Sequence, residues 1–441
     1  MTINLTPVRQ LCARLAQLAL LGLLVGLLCW PFNLLDRLGD RWLARLPAFS
    51  GEPWQPLTLA LACAPLVVVP LLLLLQSKPL QRGRGSGIPQ AMTSIEDPQQ
   101  AAALLGLVPT LQRLVLWSLA TVSLLPLGRE GPVVQVGASA AFWFRRRFPR
   151  WLTDVSDADL LAVAAGAGLA GGFNTPLLGV VFVAEEFLGR FSSGLIWPAL
   201  VISAFAAGFS SLMGQPEFAL GLLGVAPDEI TQLLWAVPLG VLGGSLGAVF
   251  ARLLLSTTRR FRRWTTRRPL SLGLVVGGVL TLFLLLSGGA SGCDGELLMT
   301  HMIEGGSPTT WLLPGTLGDA LTLVLRLIAP VLALATGIPG GLIDPSFAFG
   351  AVLGHSLGDQ ALAPLLGLSL GMAAGLAGAT QLPVMAVLFG MRLAGDQQLL
   401  PGLLLASVLG ASVSRLLVNK PIYHALKDMA DEPMPPGSAA L

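Results

Sequence analysis

Uninterrupted apolar runs fall at 15–32, 57–76, 195–214, 232–255 and 270–288 of the chain. Crossing the hydrocarbon core of a bilayer takes about 20 consecutive apolar residues in a helix. Each run is therefore predicted to be a membrane-spanning helix. Other apolar stretches, at 126–144, 161–187, 329–357 and 364–393, are broken repeatedly by glycine and proline. That pattern predicts short or interrupted helices. Irregular backbone survives at membrane depth only where it is packed in protein or lines a cavity. Interrupted helices of this kind belong to transport proteins more than to receptors or anchors.

Composition narrows the class. Of 441 residues, 54% are hydrophobic and 12% charged, with a mean hydropathy of +0.74. A soluble domain carries about 25% charged residues. Half that share leaves too little polar side chain to cover a water-facing surface. A soluble enzyme, a disordered chain and a coiled coil are all poor readings. The expectation is one all-α polytopic membrane domain over 1–430, with about a dozen or more helical segments of ~20 residues. The proline-rich end, 431–441, is expected to be a short disordered tail, with no soluble regulatory domain.

Basic residues are bunched at Arg145, Arg146, Arg147 and Arg150, and again between Arg259 and Arg268. Between apolar stretches such runs predict cytoplasmic loops that obey the positive-inside rule, rather than a nucleic-acid surface. The four cysteines show no metal spacing, and the three histidines are scattered. No metal, cofactor or disulfide framework is expected. The run at 15–32 follows Arg9 and Arg14, with no small-residue cleavage site before Trp30, and is expected to be a retained first helix.

The chain repeats itself. GLAGGFNTP at 168–176 matches GLAGATQLP at 375–383, an offset of 207. GREGPVVQVG at 128–137 lies against GLIDPSFAFG at 341–350, an offset of 213, with glycine, proline and glycine coincident. Two matches in the same order predict a duplication, with repeats at about 30–220 and 230–425.

Three glycine- and proline-punctuated segments carry the candidate chemistry: GRGSGIPQ at 83–90, GREGPVVQ at 128–135 and GIPGGLIDPS at 337–346. Proline suits the first helical turn, and glycine permits close backbone approach before it. A helix N-terminus carries about half a positive charge and offers unpaired N–H groups to an anion. Three such ends converging inside a membrane would hold an anion without a full positive charge. Glu130 stands out within them, because an ionisable group inside an apolar segment is a functional candidate by default. Its carboxylate is itself an anion, so it can compete for a seat prepared for one, and protonation would release it. Proton uptake and anion occupancy would then be linked.

These segments resemble the CLC chloride channels and chloride/proton antiporters. The likeness rests on GSGIP at 85–89, GREGP at 128–132, GIPGG followed by DP within 337–345, and NKPIY at 419–423, in the family's order. It implies a CLC-type inverted-repeat bundle of tilted and broken helices, and a homodimer with one pore per subunit. It also implies an anion held by Ser86, Gly87, Ile88, Glu130, Gly131, Leu342, Ile343 and Tyr423. Protons would pass by way of Glu130 and Glu186, and Arg113 would give electrostatic support.

Each residue also has a plainer reading. Ser86 would cap a helix. Tyr423, the only tyrosine, would be an interfacial anchor. Glu185 and Glu186 would end a helix at the interface, and Arg113 would be a loop residue. The family usually has an aromatic where this chain has Ile343, and Asp344 is unusual beside an anion site. It is expected to point away and cap the helix start. Dimer contacts are expected along 195–214 and 401–418.

The resemblance therefore implies a chloride/proton antiporter, and with no targeting segment or large soluble domain read in the chain, a prokaryotic inner membrane is expected. Its partners would be chloride, protons and the lipid bilayer, with no nucleic acid. A passive chloride channel of the same fold is the alternative. An intramembrane enzyme built on Ser86 is disfavoured, because serine activation needs a base within hydrogen-bond reach and no histidine lies in such a motif.

Overall fold

The computed structural model describes residues 6–190, 192–212, 230–308, 312–313, 315–361, 364–394 and 397–432. The described residues form helices and no strand, apart from one isolated antiparallel bridge between Gly128 and Gly341. Among them, seven helices are long and apolar enough to cross a membrane. The number is eight if Pro98–Leu104 and Leu107–Val122, bent by 51°, count as one span. The chain is a multi-pass membrane protein. Large apolar side chains such as Val67, Trp197 and Leu416 stand outward, which costs nothing where the solvent is lipid.

The runs at 15–32, 57–76 and 270–288 lie within Thr6–Leu43, Pro56–Ser77 and Pro269–Ser287. The run at 232–255 lies within the span Gln232–Arg267, and the run at 195–214 lies in Ser193–Leu212 except for 213–214, which fall outside the described residues. The glycine- and proline-broken stretches give shorter helices, as their punctuation predicts. The basic runs are mostly helical rather than loops, and only Arg150 and Arg268 lie beyond the helix ends. Arg145, Arg146 and Arg147 form the last turn of the helix Glu130–Arg147, and Arg259 to Arg267 lie in the last turns of Ala236–Arg267. Helix propensity for arginine is high, and cations at a helix C-terminus oppose its partial negative charge. The expected boundary between repeats, at 220–230, falls almost wholly on residues outside those described, and so does nearly all of the tail 431–441.

The chain forms two compact units that interleave in sequence. The first comprises Met1–Leu34, Gln90–Leu111 and Pro132–Pro216. Its centre is the helix Asp157–Phe173, begun by Ser156, whose hydroxyl accepts the Asp159 N–H. Leu160 to Phe173 are all buried, against Pro176–Phe182 and Ser193–Leu212. Asn33 ties the first helix in: its amide donates to the Gly171 carbonyl at 3.2 Å and the Ser210 hydroxyl at 2.8 Å.

The second unit comprises Leu35–Pro89, Gln112–Gly131 and Glu217–Leu441. Its centre is the helix Pro364–Thr380, packed on Ile343–Ala361, Ala236–Arg267 and Leu400–Leu417.

The duplication is visible in the helix boundaries. Asn174 ends one helix at φ +50° and Gln381 ends its counterpart at φ +62°. The next helices begin at Pro176 and Pro383. A Cβ on Gly137 would collide with the backbone of Ala164 and Gly168. At the matching position, a Cβ on Gly350 would meet the backbone of Gly371 and Met372. Each repeat thus packs the same helix pair backbone to backbone, and only glycine fits at the crossing.

Candidate anion and proton site

Helices begin at Ile88, Glu130 and Ile343, one within each punctuated segment. Gly87, at φ +117°, turns the chain into the first of them. The bridge sets the other two against each other. The Gly128 N–H donates to the Gly341 carbonyl at 3.1 Å, and the Gly341 N–H donates back at 2.8 Å. Gly128 and Gly341 are equivalent in the repeat, as are Glu130 and Ile343. Reciprocal bonding between equivalent residues is what a local two-fold axis produces, so both helix starts lie the same distance from that axis.

Ser86 joins them. A Cβ on Gly131 would run into the hydroxyl and carbonyl oxygens of Ser86, and would lie 2.9 Å from the Gly340 carbonyl oxygen. A Cβ on Gly341 would run into the Glu130 carboxylate. The three segments therefore converge at side-chain-free backbone, with the Glu130 side chain between them. Glu130, Leu342 and Ile343 are buried, and Ser86 is partly so. The Asp344 N–H donates to Glu130 Oε1 at 2.5 Å. The seated carboxylate thus uses an N–H of the first turn of the Ile343 helix, the kind of donor a halide would use.

Asp344 does not turn away to cap its helix. It is buried, and its own backbone N–H is bonded to the Glu130 carboxylate. The expectation failed because Asp344 is the second residue of a helix whose start faces Glu130, so its side chain has no route to solvent.

Two arginines hold the segments from behind. Arg113 is buried in Leu107–Val122, where its Nε donates to the Gly85 carbonyl at 3.2 Å and another guanidinium nitrogen to the Arg84 carbonyl at 3.0 Å. It is a backbone clamp on the loop that presents Ser86. Arg129 is equally buried, and it ion-pairs with Asp36 and, at 2.9 Å, with Glu296. Asp294 stands 4.0 Å from it and accepts the Glu296 N–H at 2.9 Å. The residue before Glu130 is thereby fixed by three acids from two distant segments. Sequence reading missed all three. Their only signal was an acid at the end of an apolar run, which also marks an ordinary interfacial residue. Trp117 completes the frame by donating its indole N–H to the Gly128 carbonyl at 3.2 Å.

Tyr423 is fully buried, the second residue of the helix Ile422–Asp431, in the same unit as the converging starts. Glu186 belongs to the other unit. It is buried on a π-helical turn, Val183–Phe187, while Glu185 beside it is partly exposed. Wide turns of this type are frequent at functional positions.

The sequence model of the voltage gated chloride channel family matches residues 68–415. The chain belongs to the CLC family. Among curated relatives it is 31% identical over 325 residues to the H(+)/Cl(-) exchange transporter ClcA of Vibrio campbellii, covering 68% of this chain and 65% of that protein. To the transporter of the same name from Yersinia pestis it is 28% identical over 317 residues, covering 68% and 64%. The match thus spans somewhat under two thirds of these relatives' length. In fold, the CLC chain resembles a slow cyanobacterial Cl-/H+ antiporter at a TM-score of 0.75 and 23% identity, over 95% of this chain and 98% of that one. It resembles a CLC-type fluoride/proton antiporter at 0.70 and 24%, over 92% and 98%.

Proposed function

We propose that this CLC protein is a chloride/proton antiporter. The observation that carries the reading is a buried glutamate seated between converging helix starts, where its carboxylate accepts a helix N–H. The same donor would serve a chloride ion, so carboxylate and halide exclude each other from one seat. Protonation removes the charge that holds Glu130 there. Chloride then enters as Glu130 leaves carrying a proton, and ionisation returns the side chain and expels the anion. Ser86 and Tyr423 would supply hydroxyl hydrogen bonds to the anion, and Gly87, Ile88, Gly131, Leu342 and Ile343 the surrounding backbone. Glu186 would relay protons, and a proton-relay acid favours exchange over passive flow. The helix-dipole seat binds without a full positive charge, so release stays fast.

The names of the curated relatives support the same substrates. The reading extends to a homodimer in a prokaryotic inner membrane, with the apolar faces of Ser193–Leu212 and Leu400–Leu417 available to a partner or to lipid.

The test is chloride-driven proton movement in sealed vesicles. Wild type should move protons against their gradient when chloride flows down its own. Glu130→Gln should carry chloride and move no protons. Chloride flow in the wild type with no uphill proton movement would replace the antiporter with the passive channel.

A further inference from the structure

The antiporter reading assigns no role to Asp344, and it leaves open where the proton that frees Glu130 comes from. The structure supplies a neighbour. Asp344 and Glu130 are both buried neighbours, joined by the bond from the Asp344 N–H to Glu130 Oε1. Among the described residues, Glu130 Oε2 and Asp344 Oδ2 are each enclosed without a donor. Two neighbouring carboxylates cannot both stay ionised away from water. One proton between them satisfies the pair. Glu130 accepts a backbone N–H, so it is the carboxylate, and the proton belongs on Asp344.

We propose that Asp344 is the immediate proton donor and acceptor of Glu130. In the seated state, protonated Asp344 donates a hydrogen bond to the Glu130 carboxylate. Release is the transfer of that proton from an Asp344 Oδ–H to a Glu130 Oε. The O–H bond on Asp344 breaks, an O–H bond on Glu130 forms, and one negative charge moves from Glu130 to Asp344. The pair's total charge is unchanged. Neutral Glu130 then leaves the seat, and the new Asp344 carboxylate is balanced by Arg129 nearby. The charged groups bearing on Asp344 are Glu130, Asp294, Glu296 and Arg129, and Arg392 senses Asp344 as well. Asp294 and Glu296 are already tied to Arg129. Glu130 is therefore the one of these acids bonded to Asp344 itself. Reprotonation of Asp344 from solution resets the pair.

This inference rests on the antiporter reading, but its test separates the two. Protons taken up per chloride bound would be measured by titration calorimetry at neutral pH, in buffers of different ionisation heat. Chloride flux would be followed against pH in vesicles. In the wild type the pair already holds its proton, so uptake should be well below one per chloride. Asp344→Asn should raise uptake toward one, because Glu130 must then draw from solution. It should also move the flux midpoint about one pH unit to the acid side, the effect of removing a like-charged neighbour. Asp344→Glu should restore the wild-type profile, which repair of packing alone would not predict. Wild-type uptake near one proton per chloride, which needs no variant to measure, would overturn the role of Asp344. So would an unshifted Asp344→Asn midpoint. Uphill proton movement by the wild type alongside either result leaves the antiporter standing and removes Asp344 alone.

Discussion

A single arginine bears much of the burden of placing the site. Arg129 meets Asp36, Asp294 and Glu296 in a buried cluster, and the next residue is Glu130. Removing one partner of a buried pair leaves charge uncompensated, at a cost of roughly 3–5 kcal/mol. Arg129→Met should therefore unfold well below the wild type in a thermal melt in detergent. Pairing the change with Glu296→Gln should recover part of the loss, because one orphaned carboxylate is removed. No recovery would mean that the cluster's charges are not coupled. Glu130 itself was legible in the sequence, since an acid between glycines in apolar text has few structural explanations. Asp36, Asp294 and Glu296 were not. Each reads locally as a helix-end acid, and only the fold brings residues 36, 129 and 296 together.

At the scale of elements, the three helix starts were legible because glycine and proline fix backbone geometry directly. What the sequence withheld was their mutual closeness, which depends on absent side chains. Gly341 shows this most sharply. Its missing Cβ is the space that the Glu130 carboxylate fills. Gly341→Ala keeps the bridge to Gly128, whose bonds are all backbone, yet displaces Glu130 from its seat. Chloride flux in vesicles should then lose most of its dependence on pH, and protons moved per chloride should fall. A pH profile like the wild type's would show that Glu130 does not rest against the Ile343 helix during transport. Arg113 acts on the same scale. Arg113→Met would free the carbonyls of Arg84 and Gly85, loosen the loop that carries Ser86, and weaken chloride binding by about tenfold or more, the worth of at least one charged hydrogen bond. Calorimetric titration with chloride measures it.

Over the whole molecule, the duplication was readable because both copies need glycine at the same backbone crossings and a left-handed residue, Asn174 or Gln381, at the same helix end. The interleaving of the two compact units was not readable, because short-range text carries no record of which distant segments meet. Their division has a functional corollary. Glu130 lies in one unit and Glu186 in the other, and the proposed mechanism gives the two acids different roles that mutation can test one at a time. On the proposed mechanism ionised Glu130 blocks the anion seat and protonated Glu130 opens it, so chloride flux should rise as pH falls. Glu186→Gln should leave that titration intact while removing the proposed second proton carrier. Its chloride flux should keep the acid-side rise and lose uphill proton movement. Glu130→Gln should lose both, fixed in the open form at every pH. Flux through Glu186→Gln that no longer responds to pH would mean that the gate draws its protons through Glu186 and not from Asp344 or the solution it faces.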